Sequence, residues 1–333
     1  MTSRCSPLNE PLFLKPAAKD YIWGGNRLNT DFAKNIPLTP LAETWECSTH
    51  PDGESVVAGG SFAGRTLRSV LRERPEYLGA HSRNEDGELP ILVKLIDAKR
   101  DLSVQVHPDD AYAAANENGQ RGKDEAWYVL DASKEARLVY GLNRDYTAAE
   151  LRKRLADGTT GECLQYVAVQ PDDVFFIPAG TIHALGAGCL IAEIQESSNL
   201  TYRLYDYDRR DKNGNKRALH IEKALAVADL HKSEPPRQPM RRLNYRPSCA
   251  SELLCRCAHF QVERMLLNTE RNRERLTFAT NDLSFCVLLC IRGCGSITCG
   301  ERTTDFFRGD CVFVPALTQL KLHGRAEFLS VRC

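Results

Sequence analysis

The segment Leu-Ser-Val-Gln-Val-His at residues 102–107 alternates apolar and polar side chains. A β-strand points successive side chains to opposite faces. One face therefore carries Ser103, Gln105 and His107, and the aliphatic residues between them face a core. A hydroxyl, an amide and an imidazole that point the same way are typical of a metal or substrate site.

Two further segments carry groups of the same kind. Residues 122–130 are a short turn followed by an apolar strand, in which Lys123 and Glu125 share one parity. Residues 171–183 are a turn, a four-residue apolar strand, a Pro/Gly corner and then His183. The predicted metal ligands are Gln105, His107, Glu125 and His183. Imidazole with carboxylate suits zinc, manganese or iron, and an open coordination position would make the site catalytic.

The composition indicates a globular protein with room for two domains. The chain has 333 residues, 42% of them hydrophobic and 26% charged, and its net charge is zero. A nucleic-acid binder normally has a basic surplus, and the basic clusters at 209–217 and 237–246 are interpreted as solvated loops. No apolar run approaches the roughly 18 residues that span a membrane, and the first residues lack the apolar core of a signal peptide. We expect a cytoplasmic protein without nucleic-acid or membrane partners.

The cysteines indicate free thiols. There are 13, an odd number, and nine of them lie after residue 248. A reducing compartment fits this pattern better than a disulfide framework does. Cys286, Cys290 and Cys294 are spaced by four and would share one face of a strand. Because no Cys-x-x-Cys occurs, we interpret them as buried small hydrophobes rather than as a second zinc site.

Turn residues divide most of the chain into short predicted strands, with few helices. The predicted strands are 91–98, 102–107, 126–131, 164–169, 174–177, 189–195, 201–205, 260–267, 283–291, 295–299, 310–314 and 327–332. The predicted helices are 65–78, 109–118, 147–155 and 221–230. The third helix opens with a capping box from Thr147 to Glu150. The proline-rich stretch 232–247 has the composition of a linker.

An internal repeat links the two parts of the chain. Residues 172–183 align with residues 309–320 without gaps, and Asp, Phe, Pro, Ala and Thr match in register. His183 is matched by Leu320. Two unrelated turn–strand–proline corners are one interpretation. A duplicated β-barrel module whose second copy has lost its metal ligand is the preferred one, and such antiparallel barrels include jelly rolls and cupins.

Six motifs, in this order, resemble type I mannose-6-phosphate isomerase, most closely its short bacterial form. They are YIWGG (21–25), ETWECS (43–48), LSVQVHPD (102–109), GKDEAWY (122–128), FIPAGTIHA (176–184) and TYRLYDYD (201–208). The resemblance implies a mainly β fold of two cupin-like jelly-roll β-barrel domains with a few α-helical insertions. Residues 1–232 would form the catalytic metal-binding domain, 233–247 a linker, and 248–333 a smaller domain that lacks the metal ligands.

The resemblance also implies an activity. It indicates a zinc-dependent aldose–ketose isomerase that interconverts D-mannose 6-phosphate and D-fructose 6-phosphate, with one zinc per chain on the four ligands already named. Arg203 falls on the family's active-site arginine, and Ser103, Lys94 and Lys123 fall at positions around the substrate. We expect Arg203 and Lys123 to be catalytic and all four residues to bind substrate.

The chemistry sets requirements of its own. Moving a proton between C1 and C2 through an enediolate needs a base and a group that stabilises the developing oxyanion. Zinc and a fixed cation such as Arg203 suit the second need. The base is left open among Lys123, a zinc-bound water and His50.

Other functions on the same scaffold stay open. A metal-dependent cupin oxygenase or a sugar epimerase is one alternative, although an oxygenase more usually has a His-x-His motif with a carboxylate nearby, and here Gln105 precedes His107. A non-catalytic sugar-binding cupin is the other, and it would be favoured by loss of Lys123 or Arg203, which are both present. The expected partner is a phosphorylated hexose, and the sequence leaves a monomer and a homodimer open.

Overall fold

The structure is a computed structural model that describes residues 9–210, 214–270 and 274–333. In these residues the chain is built mainly of antiparallel strands, which confirms the predicted mainly β class. The strands are β1 (Leu12–Lys15), β2 (Ala17–Lys19), β3 (Glu43–Cys47), β4 (Val56–Val57), β5 (Ile91–Ala98), β6 (Val104–Val106), β7 (Glu125–Ala132), β8 (Arg137–Leu142), β9 (Leu164–Ala168), β10 (Val174–Ile177), β11 (His183–Leu185), β12 (Cys189–Glu196), β13 (Tyr202–Tyr205), β14 (Asn244–Arg246), β15 (Cys249–Arg256), β16 (Gln261–Asn268), β17 (Leu276–Ala279), β18 (Cys286–Cys299), β19 (Arg302–Phe307), β20 (Cys311–Val314) and β21 (Gln319–Arg332).

Short helices fill the connections between the strands. They are α1 (Arg27–Thr30), α2 (Leu67–Glu73), α3 (Asp110–Asn116), α4 (Ala148–Ala156) and α5 (Ile221–Val227), with 3-10 turns at Gly60–Phe62, Pro75–Leu78 and Thr160–Cys163. The capping box from Thr147 to Glu150 is confirmed at the start of α4. The predicted helix 65–78 instead breaks at Arg74, because Pro75 lacks an N–H and disfavours a helical residue before it. None of the described helices is long and apolar enough to cross a membrane.

Three sheets stack in layers. A six-stranded sheet has the order β10-β7-β12-β5-β3-β2, and a five-stranded sheet has the order β13-β6-β11-β8-β9. One face of the six-stranded sheet packs on the five-stranded sheet in a core that includes Ile191 and Leu185. Its other face packs on strands of the C-terminal part, through residues such as Val93 and Val287. Helices α4 and α5 cover the outer face of the five-stranded sheet with Leu151 and Leu225.

The third sheet has ten strands and contains most of the C-terminal part. Its order is β14-β15-β16-β21-β18-β20-β1-β4, with β17 beside β21 and β19 beside β18. The early strands β1 and β4 therefore belong to the sheet of the later residues. The division into domains at 232 and 248 stays a prediction. No closed barrel is present among the described strands, whose sheets are open.

Strand β18 is one bent strand where the sequence predicts two, at 283–291 and 295–299. Its pairing with β21 shifts register between Cys290 and Arg292. Gly293 lies just after the shift with φ of 80°, and a Cβ there would lie 2.1 Å from the Arg325 carbonyl oxygen. The bulge turns the strand without ending it, and only glycine fits its tightest point.

The same bulge corrects the prediction that three cysteines share a face. Cys286 and Cys290 are buried in the core of the C-terminal part, as predicted, but Cys294 is exposed. The extra residue of the bulge changes the parity between Cys290 and Cys294. All twelve cysteines among the described residues are free, and Cys5 lies outside those residues.

The two halves of the internal repeat occupy comparable local structures. Each is a four-residue strand, β10 or β20, followed by a proline corner and a further strand. His183 opens β11 and faces the interior between two sheets, whereas Leu320 in β21 is 1% exposed and packs in an apolar core. A common origin for the two halves stays a prediction.

Candidate active site

A polar cavity lies where the five-stranded and six-stranded sheets face each other. Its volume is about 270 Å³. Its polar lining consists of Tyr21, Glu43, Lys94, Ser103, Gln105, Lys123, Glu193, Asn199, Thr201, Arg203 and Arg217. The cavity thus contains every substrate-site residue predicted from the sequence, namely Lys94, Ser103, Lys123 and Arg203.

A cluster of His107, Glu125 and His183 adjoins this cavity. One ligand atom from each residue lies within 4.8 Å of the others, and all three side chains are buried. The Nε2 atoms of His107 and His183 lie 3.3 and 3.4 Å from the two carboxylate oxygens of Glu125. Lys123, which lines the cavity, contacts Glu125 and lies 3.3 Å from Nε2 of His107.

Backbone carbonyls fix the orientation of both imidazoles. Nδ1 of His107 donates to the Leu200 carbonyl at 2.7 Å, and Nδ1 of His183 donates to the Thr181 carbonyl at 2.8 Å. The proton of each neutral ring is therefore on Nδ1, and the Nε2 lone pairs point at Glu125. Carbonyl groups orient ligating histidines in this way at metal centres.

The electrostatics of the cluster suit a cation. Burial lowers the pKa of His107 to about 3, helped by the charge of Lys123, and burial also lowers the pKa of His183. Burial alone would raise the pKa of Glu125, but Lys123 and the histidines outweigh it and hold the pKa well below its usual range. Neither carboxylate oxygen of Glu125 accepts a hydrogen bond of good geometry. Two unprotonated imidazole nitrogens and an ionised carboxylate, all buried, match the donor set of a divalent metal.

Gln105 joins the cluster from the neighbouring strand. It pairs in register with His183 on one side and with Arg203 on the other. Its amide Nε2 lies 3.3 Å from Nε2 of His183. A half-turn of the amide exchanges its nitrogen and oxygen, and would offer the oxygen to the same point.

The wall opposite Gln105 is a row of side chains across the six-stranded sheet. Trp45, Lys94, Glu193 and Trp127 are successive cross-strand neighbours. Lys94 pairs with Glu193 at 2.9 Å, and the indole of Trp127 donates to Glu193 at 3.0 Å. Burial would lower the pKa of Lys94, but Glu193 and Glu43 outweigh it and raise that pKa above its usual value.

Sequence reasoning missed Glu193 as a site residue. The strand that carries it, 189–195, was predicted, and a carboxylate within the apolar run Ile-Ala-Glu-Ile is the signal that was available. A charged residue is almost never fully buried unless it is paired. The sequence does not show which strand supplies the partner.

Arg203 projects from β13 towards the cavity. Its Nε donates to the Ser103 hydroxyl at 3.3 Å, and its Nη1 donates to the Ala218 carbonyl at 2.9 Å. Burial, followed by the nearby charge of Arg217, lowers the pKa of Arg203 from its ordinary high value. The guanidinium remains a fixed cation at neutral pH.

Arg217 corrects the interpretation of residues 209–217 as a wholly solvated loop. Its Nε donates to Asp206 at 2.8 Å, and it lines the cavity. Arg209 also bonds to Asp206, which is 5% exposed, because a buried carboxylate requires partners. Lys216 pairs with the exposed Asp208, as a solvated loop would. The middle of this cluster, 211–213, lies outside the described residues.

Of two further ring side chains, Tyr21 lines the cavity and His50 does not. Tyr21 lines it, and burial, with help from Glu43, raises the pKa of its phenol to about 12. His50, one of the three candidates for the base, is absent from the lining. Its ring meets Trp45 edge-on at 5.8 Å, and its Nδ1 accepts from the backbone N–H of Asp52 at 3.1 Å.

Fold and site together define a class: a mainly β protein that holds a candidate metal site and a cluster of cationic side chains between two antiparallel sheets. Known proteins resemble it along nearly the whole chain. Residues 12–142 match the catalytic domain of type I phosphomannose isomerase. Mannose-6-phosphate isomerase ManA of Bacillus subtilis (strain 168) is 38% identical over 319 residues, which are 96% of this chain and 97% of that protein. The mannose-6-phosphate isomerase of Streptococcus mutans is 44% identical over 67% of this chain and 69% of its own.

Solved structures agree with these relatives. The crystal structure of the mannose 6-phosphate isomerase from Bacillus subtilis matches with a TM-score of 0.88 and 33% identity, over 97% of this chain and 99% of that one. A phosphomannose isomerase variant from Salmonella typhimurium has a TM-score of 0.75 over 97% of this chain and 99% of its own, at 16% identity, and shows the fold alone. The chain belongs to the type I phosphomannose isomerase family, which has a cupin fold, and it is an enzyme of the aldose–ketose isomerase class.

Proposed function

We propose that this chain is a zinc-dependent isomerase that interconverts D-mannose 6-phosphate and D-fructose 6-phosphate through an enediolate. Family membership supports mannose-6-phosphate isomerase activity. The observation that carries the rest of the proposal is the cluster of His107, Glu125 and His183, whose unprotonated nitrogens and carboxylate converge beside a cationic cavity.

One zinc per chain would be held by His107, Glu125 and His183, with the oxygen of Gln105 as the fourth ligand. The fit rests on the two Nε2 lone pairs and on the buried carboxylate of Glu125, whose contacts are the Lys123 ammonium and the two imidazoles rather than hydrogen bonds of good geometry. A zinc ion at this point would polarise the sugar carbonyl and favour negative charge on its oxygen.

The catalytic roles fall to Arg203 and Lys123. Isomerisation needs a group that stabilises the oxyanion of the enediolate, and a preorganised cation does this best in a site that excludes water. Arg203 is held in the cavity wall by Ser103, so its charge is already in place. Lys123 keeps its ammonium against Glu125 and supplies a second positive charge.

Substrate binding would involve the same cations together with Lys94 and Ser103. A sugar phosphate carries about two negative charges at neutral pH, and guanidinium groups match phosphate geometry. Arg203 and Arg217 both line the cavity. Lys94, fixed by Glu193, offers its remaining donors to sugar oxygens.

We infer a cytoplasmic enzyme, because the twelve described cysteines are free and a reducing compartment keeps them so. We retain a catalytic domain at 1–232 and a smaller domain at 248–333 as the proposed division.

The test is a coupled assay of purified protein with mannose 6-phosphate as substrate. Conversion to fructose 6-phosphate is expected, with loss of turnover after chelation and recovery when zinc returns. Formation of the C2-epimeric aldose phosphate instead would indicate an epimerase. Full turnover after complete removal of metal would contradict the metal-dependent proposal.

A further inference from the structure

A second group of metal-ligating side chains lies outside the cavity, where the C-terminal part meets the catalytic part. Asp110 opens α3, Glu196 ends β12, and His259 lies in the turn between β15 and β16. One ligand atom from each lies within 4.8 Å of the others. The three residues come from distant parts of the sequence, so no spacing motif reveals them.

The two carboxylates are each fixed by one oxygen, which leaves the other for a ligand. Glu196 accepts from the backbone N–H of Asp124 through Oε1 at 3.0 Å. Asp110 accepts from the backbone N–H of Gly122 through Oδ1 at 2.7 Å. Both carboxylates are therefore anchored to residues 122–124. The second oxygen of each carboxylate remains available to bind a ligand.

The second oxygen of Glu196 is the strongest sign that the group is incomplete. Glu196 is 2% exposed, and its Oε2 is buried and accepts no hydrogen bond of good geometry. Nδ1 of His259 lies 3.2 Å from this oxygen, within ion-pair distance. Such oxygens are rarely left unsatisfied in proteins, and a bound ion is a standard reason when they lack a hydrogen bond. A cation between Glu196 and His259 would satisfy the oxygen and the ring nitrogen together.

A further carboxylate stands where it would orient the imidazole. Nε2 of His259 lies 3.9 Å from Oδ2 of Asp124. A ligating histidine commonly directs its second ring nitrogen towards a carboxylate, which fixes the ring and strengthens its donor atom. Asp110 is exposed, so the site opens to solvent and an ion has a path of entry.

We propose that Asp110, Glu196 and His259 bind a second divalent cation, separate from the active-site metal. One imidazole nitrogen with two carboxylate oxygens suits zinc or manganese. The ion would tie the β15–β16 turn to residues 122–124, which include Lys123 and directly precede Glu125, and would hold the C-terminal part against the catalytic part. This role for His259 would depart from the expectation that residues 248–333 lack metal ligands.

The test counts zinc equivalents by isothermal titration calorimetry on full-length protein first stripped with a chelator. We expect two equivalents for the wild type and one for His259→Gln. The matched control is His231→Gln, because His231 is 85% exposed beside the single carboxylate of Asp145 and should leave two equivalents. Equal uptake by the wild type and His259→Gln would overturn the proposal.

The same titration separates this site from the proposed catalytic metal. One equivalent in the wild type and none in His259→Gln would support the second site and contradict the active-site zinc. If His259→Gln does not fold, Asp110→Asn provides the same comparison, since Asp110 is exposed and its substitution leaves the core intact. Two equivalents in folded Asp110→Asn protein would count against the site.

Discussion

The guanidinium of Arg203 is held from two sides, by the Ser103 hydroxyl and by the Ala218 carbonyl. A lysine at this position would keep the charge but lose the planar fork that makes both contacts. We predict that Arg203→Lys lowers kcat by about 100-fold, which corresponds to about 2.7 kcal/mol of transition-state stabilisation. Steady-state kinetics with mannose 6-phosphate measures this.

The changes in kcat and KM also distinguish whether Arg203 contacts the enediolate or the substrate phosphate. A lower kcat with little change in KM indicates contact with the enediolate, whereas a raised KM indicates that the phosphate is held. Arg152→Lys is the control, because Arg152 pairs with Glu222 on the exposed surface. Wild-type kcat/KM in Arg203→Ala protein would remove Arg203 from the active site.

Glu193 neutralises Lys94 inside the sheet. Breaking a buried ion pair by removing one partner leaves an uncompensated charge and costs about 3–5 kcal/mol. We predict that Glu193→Gln lowers the free energy of unfolding by about 3 kcal/mol. This value is at the low end of that range because the charge of Glu43 still acts on Lys94 in the variant. Urea unfolding monitored by tryptophan fluorescence measures the change.

An exposed ion pair provides the comparison for this prediction. Lys153 and Asp157 pair on the surface of α4, with 75% and 47% of their side chains exposed. Asp157→Asn should change the stability by under about 0.5 kcal/mol. Similar small effects in both variants would show that the Lys94–Glu193 pair contributes little to folding.

At the residue scale, the alternation of side chains predicts which residues of one strand share a face. It does not predict which residues of different strands lie side by side. Alternation placed Gln105 on one face with its neighbours, and the structure pairs it in register with His183. The sequence did not identify Glu193 and Arg217 as residues of the cavity, because their place there depends on which strands become neighbours. Register between distant strands is set by the packing of the whole sheet, which a local pattern does not contain.

At the scale of elements, the bulge in β18 makes a quantitative prediction. Gly293→Ala would place a Cβ 2.1 Å from the Arg325 carbonyl oxygen at φ of 80°, so the backbone must shift as well as adopt a strained conformation. We expect a loss of about 3 kcal/mol in the free energy of unfolding, measured by chemical denaturation.

Gly64 supplies a matched control for the bulge. It has φ of 81°, but nothing lies within 4 Å of the Cβ position. Gly64→Ala should therefore cost only about 1 kcal/mol, the conformational part alone. Equal losses in the two alanine variants would mean that steric contact at the bulge does not matter.

Elements with strong local signals were predicted well. Strands β5 and β10 have the predicted bounds, 91–98 and 174–177, and the α4 capping box is confirmed. The long strand β18 was predicted as two strands and β21 only as its last residues, 327–332, since glycines within both strands resemble turns. Each of these two strands continues through its glycines because β18 and β21 pair with each other along most of their length.

At the scale of the whole molecule, the six-stranded sheet is covered on both faces. Its strand β5 places Val93 in one core and Lys94 in the lining of the polar cavity on the opposite face. The sequence could not predict that β1 pairs with β20, because these strands lie about 300 residues apart and short strands carry no partner information.

The central claim is that His107, Glu125 and His183 hold the metal on which isomerisation depends. The most direct measurement is the turnover and zinc content of His183→Ala protein beside His231→Ala protein, with far-UV circular dichroism to confirm folding. We predict that His183→Ala keeps its fold, loses one zinc equivalent per chain and loses mannose-6-phosphate isomerase activity, whereas His231→Ala matches the wild type. Wild-type turnover in folded His183→Ala protein would contradict the claim.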